Sequence, residues 1–178
     1  IYFTYTEEKP ISFNPFYTDD FVYDVEKKDS IKTLLLTLWK SEDDKITKTE
    51  SGELGSAVTA YIDRIKADRS ITPNFNTFYE FMRDDYRHEL ESRAIKVGKD
   101  DFNIDNFLTT LRQYYSGGRY DFLLNSDKNI DLLNKRFIVF EIDAIKENRE
   151  LFPVVTIIIM EAFINKMRRL KGIRKQLI

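Results

Sequence analysis

Two carboxylates at the end of an apolar run are the first residues whose types and spacing suggest chemistry. Arg136 to Asp143 reads RFIVFEID, in which Phe137, Ile138, Val139, Phe140 and Ile142 accompany Glu141 and Asp143. A buried strand ending in acid matches the Walker B pattern, where a carboxylate at the strand's C-terminal edge holds Mg²⁺ beside a nucleotide. A solvated strand end, or a cap for the next turn, uses the same residues. The companion phosphate loop, GxxxxGK followed by Ser or Thr, is absent. Gly98-Lys99 is followed by Asp100, and Arg93 stands where the first glycine belongs. Without that loop's backbone donors, the chain is not expected to grip a triphosphate.

The remaining polar candidates read more simply as structure. His88 lies between Arg87 and Glu89 on a charged helix face with no nucleophile in a recognisable setting, so a surface residue is the expectation. Asp84-Asp85 and Asp100-Asp101 are adjacent pairs, which point to different helix faces and fit no calcium loop. Lys166, Arg168, Arg169, Lys171, Arg174 and Lys175 form the basic cluster. They complement the negative end of a helix, and Arg168, Arg169, Arg174 and Lys175 are the candidate contacts to DNA or a neighbouring subunit. Tyr114, Tyr115, Tyr120 and Phe122 surround Gly117-Gly118, a setting that can stack a base and more commonly packs under a loop. No cysteine and one histidine exclude a disulfide framework, a zinc cluster and a thiol nucleophile. A net charge of −2 gives no global pull toward nucleic acid, so any such contact must be local.

These residues need elements to position them. The 137–142 run has no polar alternation and reads as a central parallel strand buried on both faces. Leu151 to Lys171 is harder, because Val154 to Ile159 favour strand by propensity. Pro153 suits a first helical turn, Glu150 sits at the positive end, and basic residues precede Gly172, so a helix is expected. Its first half is apolar all round and should be buried between layers, with Ile159, Phe163, Met167 and Leu170 at helical spacing. The run falls short of the about 20 apolar residues of a membrane span. A further strand from Gln176 would complete a right-handed βαβ unit.

Upstream, Ile1 to Thr6 reads as an edge strand, broken by Pro10 and Pro15. Asp24 to Lys40 carries a helical stripe of Val25, Ile31, Leu34, Leu35 and Leu38 with Trp39. Ser41 to Ser51 reads as a solvated turn. Leu54, Val58, Tyr61, Ile62 and Ile65 mark a second helix. Asn76 or Thr77, with Glu80, offers a cap for a third bearing Phe78, Phe81, Met82 and Tyr86. Asn103 caps a fourth, Ile104 to Tyr115, with Ile104, Phe107, Leu108 and Leu111 inward, stopped by Gly117-Gly118. The expected class is α/β and mainly helical. Residues 1–23 form an edge strand and linker, 24–125 a helical subdomain, and 126–178 a βαβ remnant of a larger core. A chain that opens inside a β-like run and stops at Leu177 and Ile178 is expected to be an excised piece.

Five stretches resemble one family: YFTYTEEKPISFNPF (Tyr2 to Phe16), LLLTLWKSED (Leu34 to Asp43), TPNFNTFYEFMRDDYR (Thr72 to Arg87), Tyr120 to Asn148, and Leu151 to Ile178. They resemble the TraG-type ATPase of conjugative transposons, the energising ATPase of a type IV secretion apparatus in the HerA/FtsK superfamily. In that family the Walker A loop precedes a segment like IYFTYT, and the Walker B acidic pair follows the strand beginning KQLI. The resemblance therefore implies a helical subdomain inserted in a partial RecA-like P-loop ATPase core, carrying neither motif and inactive alone. It further implies, for the parent protein, the powering of DNA transfer or of assembly of the transfer apparatus, ATP and Mg²⁺, a homo-hexamer, partner secretion components, and a cytoplasmic place at the membrane's inner face without insertion; DNA is a candidate partner. Two alternatives remain open from the residues: a helical protein–protein interaction module without ATPase activity, and a local DNA-binding element.

Overall fold

The computed structural model describes residues 2–4, 11–18, 20–41, 43–127 and 137–170. Its first helix, α1 (Val25–Trp39), starts where Asp24 accepts the Lys27 N–H at 2.7 Å. Ile31, Leu34, Leu35 and Leu38 then face the core. Helix α2 (Lys48–Ala67) begins earlier than its apolar repeat suggests, because Thr47 and Glu50 form a reciprocal capping box with bonds of 3.1 and 2.9 Å. The stretch read as a solvated turn is thus helical from Lys48 onward.

The third helix corrects the expected cap. Asn74, not Asn76 or Thr77, caps α3 (Phe75–Phe81): its Oδ1 accepts the Thr77 N–H at 2.9 Å, and Thr77 Oγ1 accepts the Asn74 N–H at 3.2 Å. Thr77 is the return partner of the box. Asn76 accepts from the Ser116 N–H instead, and Glu80 accepts from the Tyr115 hydroxyl. The chain runs on through a π-helical turn, Met82–Tyr86, into α4 (Arg87–Ser92). Helix α5 (Ile104–Leu111) is capped by Asn103 as expected, but tightens into a 3-10 turn at Arg112–Tyr114 rather than remaining α-helical to Tyr115. Gly117 has φ +74°, and a Cβ at Gly118 would overlap the Gln113 carbonyl, so both glycines are needed to stop it.

Aromatic rings fill the centre. Phe16 meets Tyr61 edge-on at 4.9 Å and Phe78 at 5.1 Å, and Trp39 meets Phe102 and Phe107 at 5.5 and 5.4 Å. Residues 11–16 are threaded into this core: Phe13 donates to the Leu123 carbonyl at 2.9 Å, and Asn14 Nδ2 to that of Pro73 at 2.8 Å.

Strands β1 (Tyr2–Thr4) and β2 (Val139–Glu141) pair in parallel, Tyr2 with Val139, Phe3 with Phe140 and Thr4 with Glu141. The parallel sense is as expected; the burial is not. β2 is half-buried and Phe137 is 68% exposed, so the run is not a strand covered on both faces. Among the described residues the sheet has two strands, and one neighbour cannot cover what a central strand would bury.

Helix α6 (Leu151–Arg169) forms despite its strand-prone sequence. Asn148 Oδ1 receives the N–H groups of Glu150 and Leu151 at 3.0 Å, and Pro153 falls within the first turn, where its missing donor costs nothing. The expectation of all-round burial fails. Leu151, Val154, Val155 and Ile158 are buried, whereas Phe152, Met160 and Met167 are exposed. Ile159, Phe163, Met167 and Leu170 therefore lie on the less covered side, because α1 packs against the opposite one. The strand expected from Gln176, with Lys171 and Gly172, lies outside the described residues.

Candidate functional site

Parallel pairing brings the C-terminal ends of β1 and β2 to one edge, where ligands of open α/β sheets bind. Thr4 and Glu141 are register partners there. Glu141 Oε1 accepts the Asp143 N–H at 2.9 Å, closing the turn into the 3-10 segment Asp143–Ile145. Asp143 is exposed at the start of that turn. Glu141 thus acts as the turn-closing carboxylate that the sequence offered as the alternative to a metal ligand. Among the described residues, no three His, Cys, Asp or Glu side chains converge to hold a metal.

Gly98 and Lys99 lie in the turn between α4 and α5. The Asp101 and Phe102 N–H groups both donate to the Gly98 carbonyl at 3.0 Å, and Lys99 Nζ lies 3.5 Å from Asp105. A phosphate loop instead links a strand to a helix and turns its N–H groups outward. These residues do not fit a triphosphate, and no step of nucleotide chemistry runs through them.

The other candidates settle into structural roles. His88 is exposed. Asp84 pairs with Arg83 at 2.7 Å and Asp105 with Arg87 at 2.7 Å, and those guanidinium hydrogen bonds hold both carboxyls below the ordinary carboxylate value. Asp85 pairs with Arg64. Asp100 and Asp101 face solvent. The aromatic group packs beneath its loop: Tyr114 stacks on Tyr120 at 5.8 Å, both buried, and Tyr115 stacks on Tyr79 at 4.6 Å. Burial pushes the Tyr114 phenol upward.

Arg168 and Arg169 belong to the last turn of α6, but their side chains lie outside the description, as do Arg174 and Lys175 altogether. A groove of about 480 Å³ runs along α2 past Gly52, Ser56, Thr59 and Asp63. Its lining comes from this helix alone, with no second element bringing polar groups to converge on a ligand. No described helix is long and apolar enough to cross a membrane.

Sequence reasoning missed a buried charged contact between helices. Lys27 of α1 and Glu161 of α6 meet at 3.6 Å, with side chains 5% and 8% exposed. The signal was available: Lys27 precedes Ile31, Leu34, Leu35 and Leu38 at helical spacing, and Glu161 follows Leu151, Val154, Val155 and Ile158 in the same way.

Among the described residues, the fold is a mainly helical α/β domain in which two parallel strands flank helices α1 to α5 in the sequence. The chain belongs to the TraG P-loop domain family, whose model matches residues 1–178. This makes it a P-loop domain related to conjugative transfer. No curated protein and no solved structure matches it.

Proposed function

We propose that this chain is the part of a conjugative-transfer ATPase lying between its two nucleotide motifs, with the helical block inserted in a RecA-like core. The observation that carries the reading is the parallel register of β1 on β2 across α1–α5, in a chain matched along its whole length by the TraG P-loop family. Parallel strands joined through helices are the construction unit of such cores. On this reading ATP and Mg²⁺ are gripped by the remainder of the core. The exposed apolar side chains of Phe152 and Met160 seat against that remainder. The intact protein works as a hexamer with other type IV secretion components at the cytoplasmic face of the membrane. The basic end of α6, with Arg174 and Lys175, meets DNA or the adjacent subunit.

The test compares the 178-residue chain with the intact protein by calorimetric titration with Mg-ATP and by phosphate release. The chain is expected to give no micromolar binding, and the intact protein to bind and hydrolyse. Micromolar, magnesium-dependent binding by the chain alone would defeat the division of labour. An intact protein without hydrolysis would defeat the motor.

A further inference from the structure

Apolar burial alone does not decide how α6 sits. One stripe (Leu151, Val154, Val155, Ile158) is buried, and a second at equally regular spacing (Phe152, Ile159, Met160, Phe163, Met167) is half-buried or exposed. A turn about the helix axis would exchange one stripe for the other. Burial free energy is non-directional and follows area, so it separates two such faces weakly.

One contact does separate them. Glu161 is the sole acidic residue between Leu151 and Arg169, and it continues the buried stripe to meet Lys27 at 3.6 Å. The Lys27 ammonium also lies 5.8 Å from the Phe13 ring. Glu161 Oε2 has no hydrogen bond, and 3.6 Å is longer than a hydrogen-bonded bridge. A buried carboxylate oxygen held this way recovers little of its desolvation cost, so net stability does not explain the acid at position 161. Separating the two charges is nevertheless costly, and rotation of α6 would do that.

We propose that Lys27 and Glu161 form a register lock that selects the face of α6 seated on α1. The lock joins the helical block to the helix that follows β2.

The chain has no cysteine, so single Val154→Cys and Met160→Cys substitutions report the two faces by thiol labelling under native conditions. With the native pair, the thiol at 154 is protected and that at 160 reacts. In the double variant Lys27→Met/Glu161→Leu, the denaturant midpoint is expected to hold or rise. Labelling at 154 should accelerate about tenfold or more while labelling at 160 slows. Acceleration without a fall in midpoint is a response that mere loss of stability does not give. An unchanged labelling pattern in a folded double variant overturns the lock. Should that variant not fold, the exchanged pair Lys27→Glu/Glu161→Lys decides: native protection at 154 supports the lock, and lost protection sinks it.

Discussion

Tyr61 shows what burial does to a single titratable group. Its ring packs edge-on against Phe16 and Phe78, its hydroxyl is 2.6 Å from Thr77 Oγ1, and burial pushes its phenol up to about 12. The fold holds the neutral form, so the stabilisation is complete below the ordinary value of 10 and disappears as pH rises from there toward 12. The shift corresponds to about 3 kcal/mol. Denaturant unfolding followed across the alkaline range should therefore show the midpoint falling above pH 10, and Tyr61→Phe should flatten part of that fall. Tyr86 and Tyr114, also raised by burial, contribute to the remainder. An unchanged alkaline limb in Tyr61→Phe would show that this phenol ionises as freely folded as unfolded. At this scale the sequence was readable where burial follows pattern, as at Ile31 or Phe107, and misleading where chemistry depends on a distant neighbour. Asn76, read as a cap for its own helix, instead accepts the Ser116 N–H from forty positions away, whereas Glu141 takes the turn-closing role its sequence offered, two residues from Asp143.

Helices were legible because tertiary packing rewards the same spacing that helical geometry imposes, as Leu54, Val58, Tyr61, Ile62 and Ile65 show. Their ends were less so. Apolar spacing gives no sign of the charged first turn of α2, where Glu50 joins the Thr47 cap to Lys40 at 2.6 Å. Burial raises the Glu50 carboxyl, but the Lys40 and Thr47 hydrogen bonds outweigh it and leave it lowered. Its contribution is then present above the ordinary value of 4.5 and lost as pH falls through the depressed one. Glu50→Ala should cost about 1–2 kcal/mol near neutrality, and Glu50→Gln should flatten the acid limb of the stability curve. An acid limb identical to the native one would remove Glu50 from that account. The π turn was missed for a different reason. Phe78, Met82, Tyr86 and Leu90 recur every four residues, a stripe that drifts by about 40° per step on a helix of 3.6 residues per turn. Widening one turn at Met82–Tyr86 realigns it and lets the Tyr86 hydroxyl reach the Glu53 carbonyl at 3.1 Å. Deleting Asp84 shortens the Met82–Tyr86 interval to an ordinary helical three. The deletion should be tolerated within about 1 kcal/mol, whereas deleting Thr59 from the regular α2 turns Tyr61, Ile62 and Ile65 away and should abolish cooperative unfolding. Equal damage from both deletions would mean that the π turn is required rather than accommodated.

Over the whole molecule, what one sequence reveals depends on whether a property belongs to the chain or to its surroundings. That the 137–142 run joins a parallel sheet belongs to the chain and was foreseen; its pairing with β1, the cover of β2 and that of the outer face of α6 depend on neighbours, and were not. The same distinction governs the proposed DNA contact. A net charge of −2 supplies no general attraction to a polyanion, so binding must come from a local set of cations. Arg168, Arg169, Arg174 and Lys175 are four such residues within eight positions. If all four meet duplex phosphates, the logarithm of affinity should fall against that of salt with a slope near −3.6, about −0.9 per neutralised phosphate. Replacing the four by Ala should remove most of that slope while the far-ultraviolet spectrum and unfolding midpoint stay close to native. The alternative, that these cations complement the end of α6 and meet a neighbouring subunit, makes the opposite prediction. The substitutions would then leave DNA affinity and its salt dependence unchanged and weaken association of the intact protein. Anisotropy titrations at several salt concentrations, paired with sedimentation of the same variants, separate the two because counterion release is a property of the phosphate backbone that a neighbouring subunit does not reproduce.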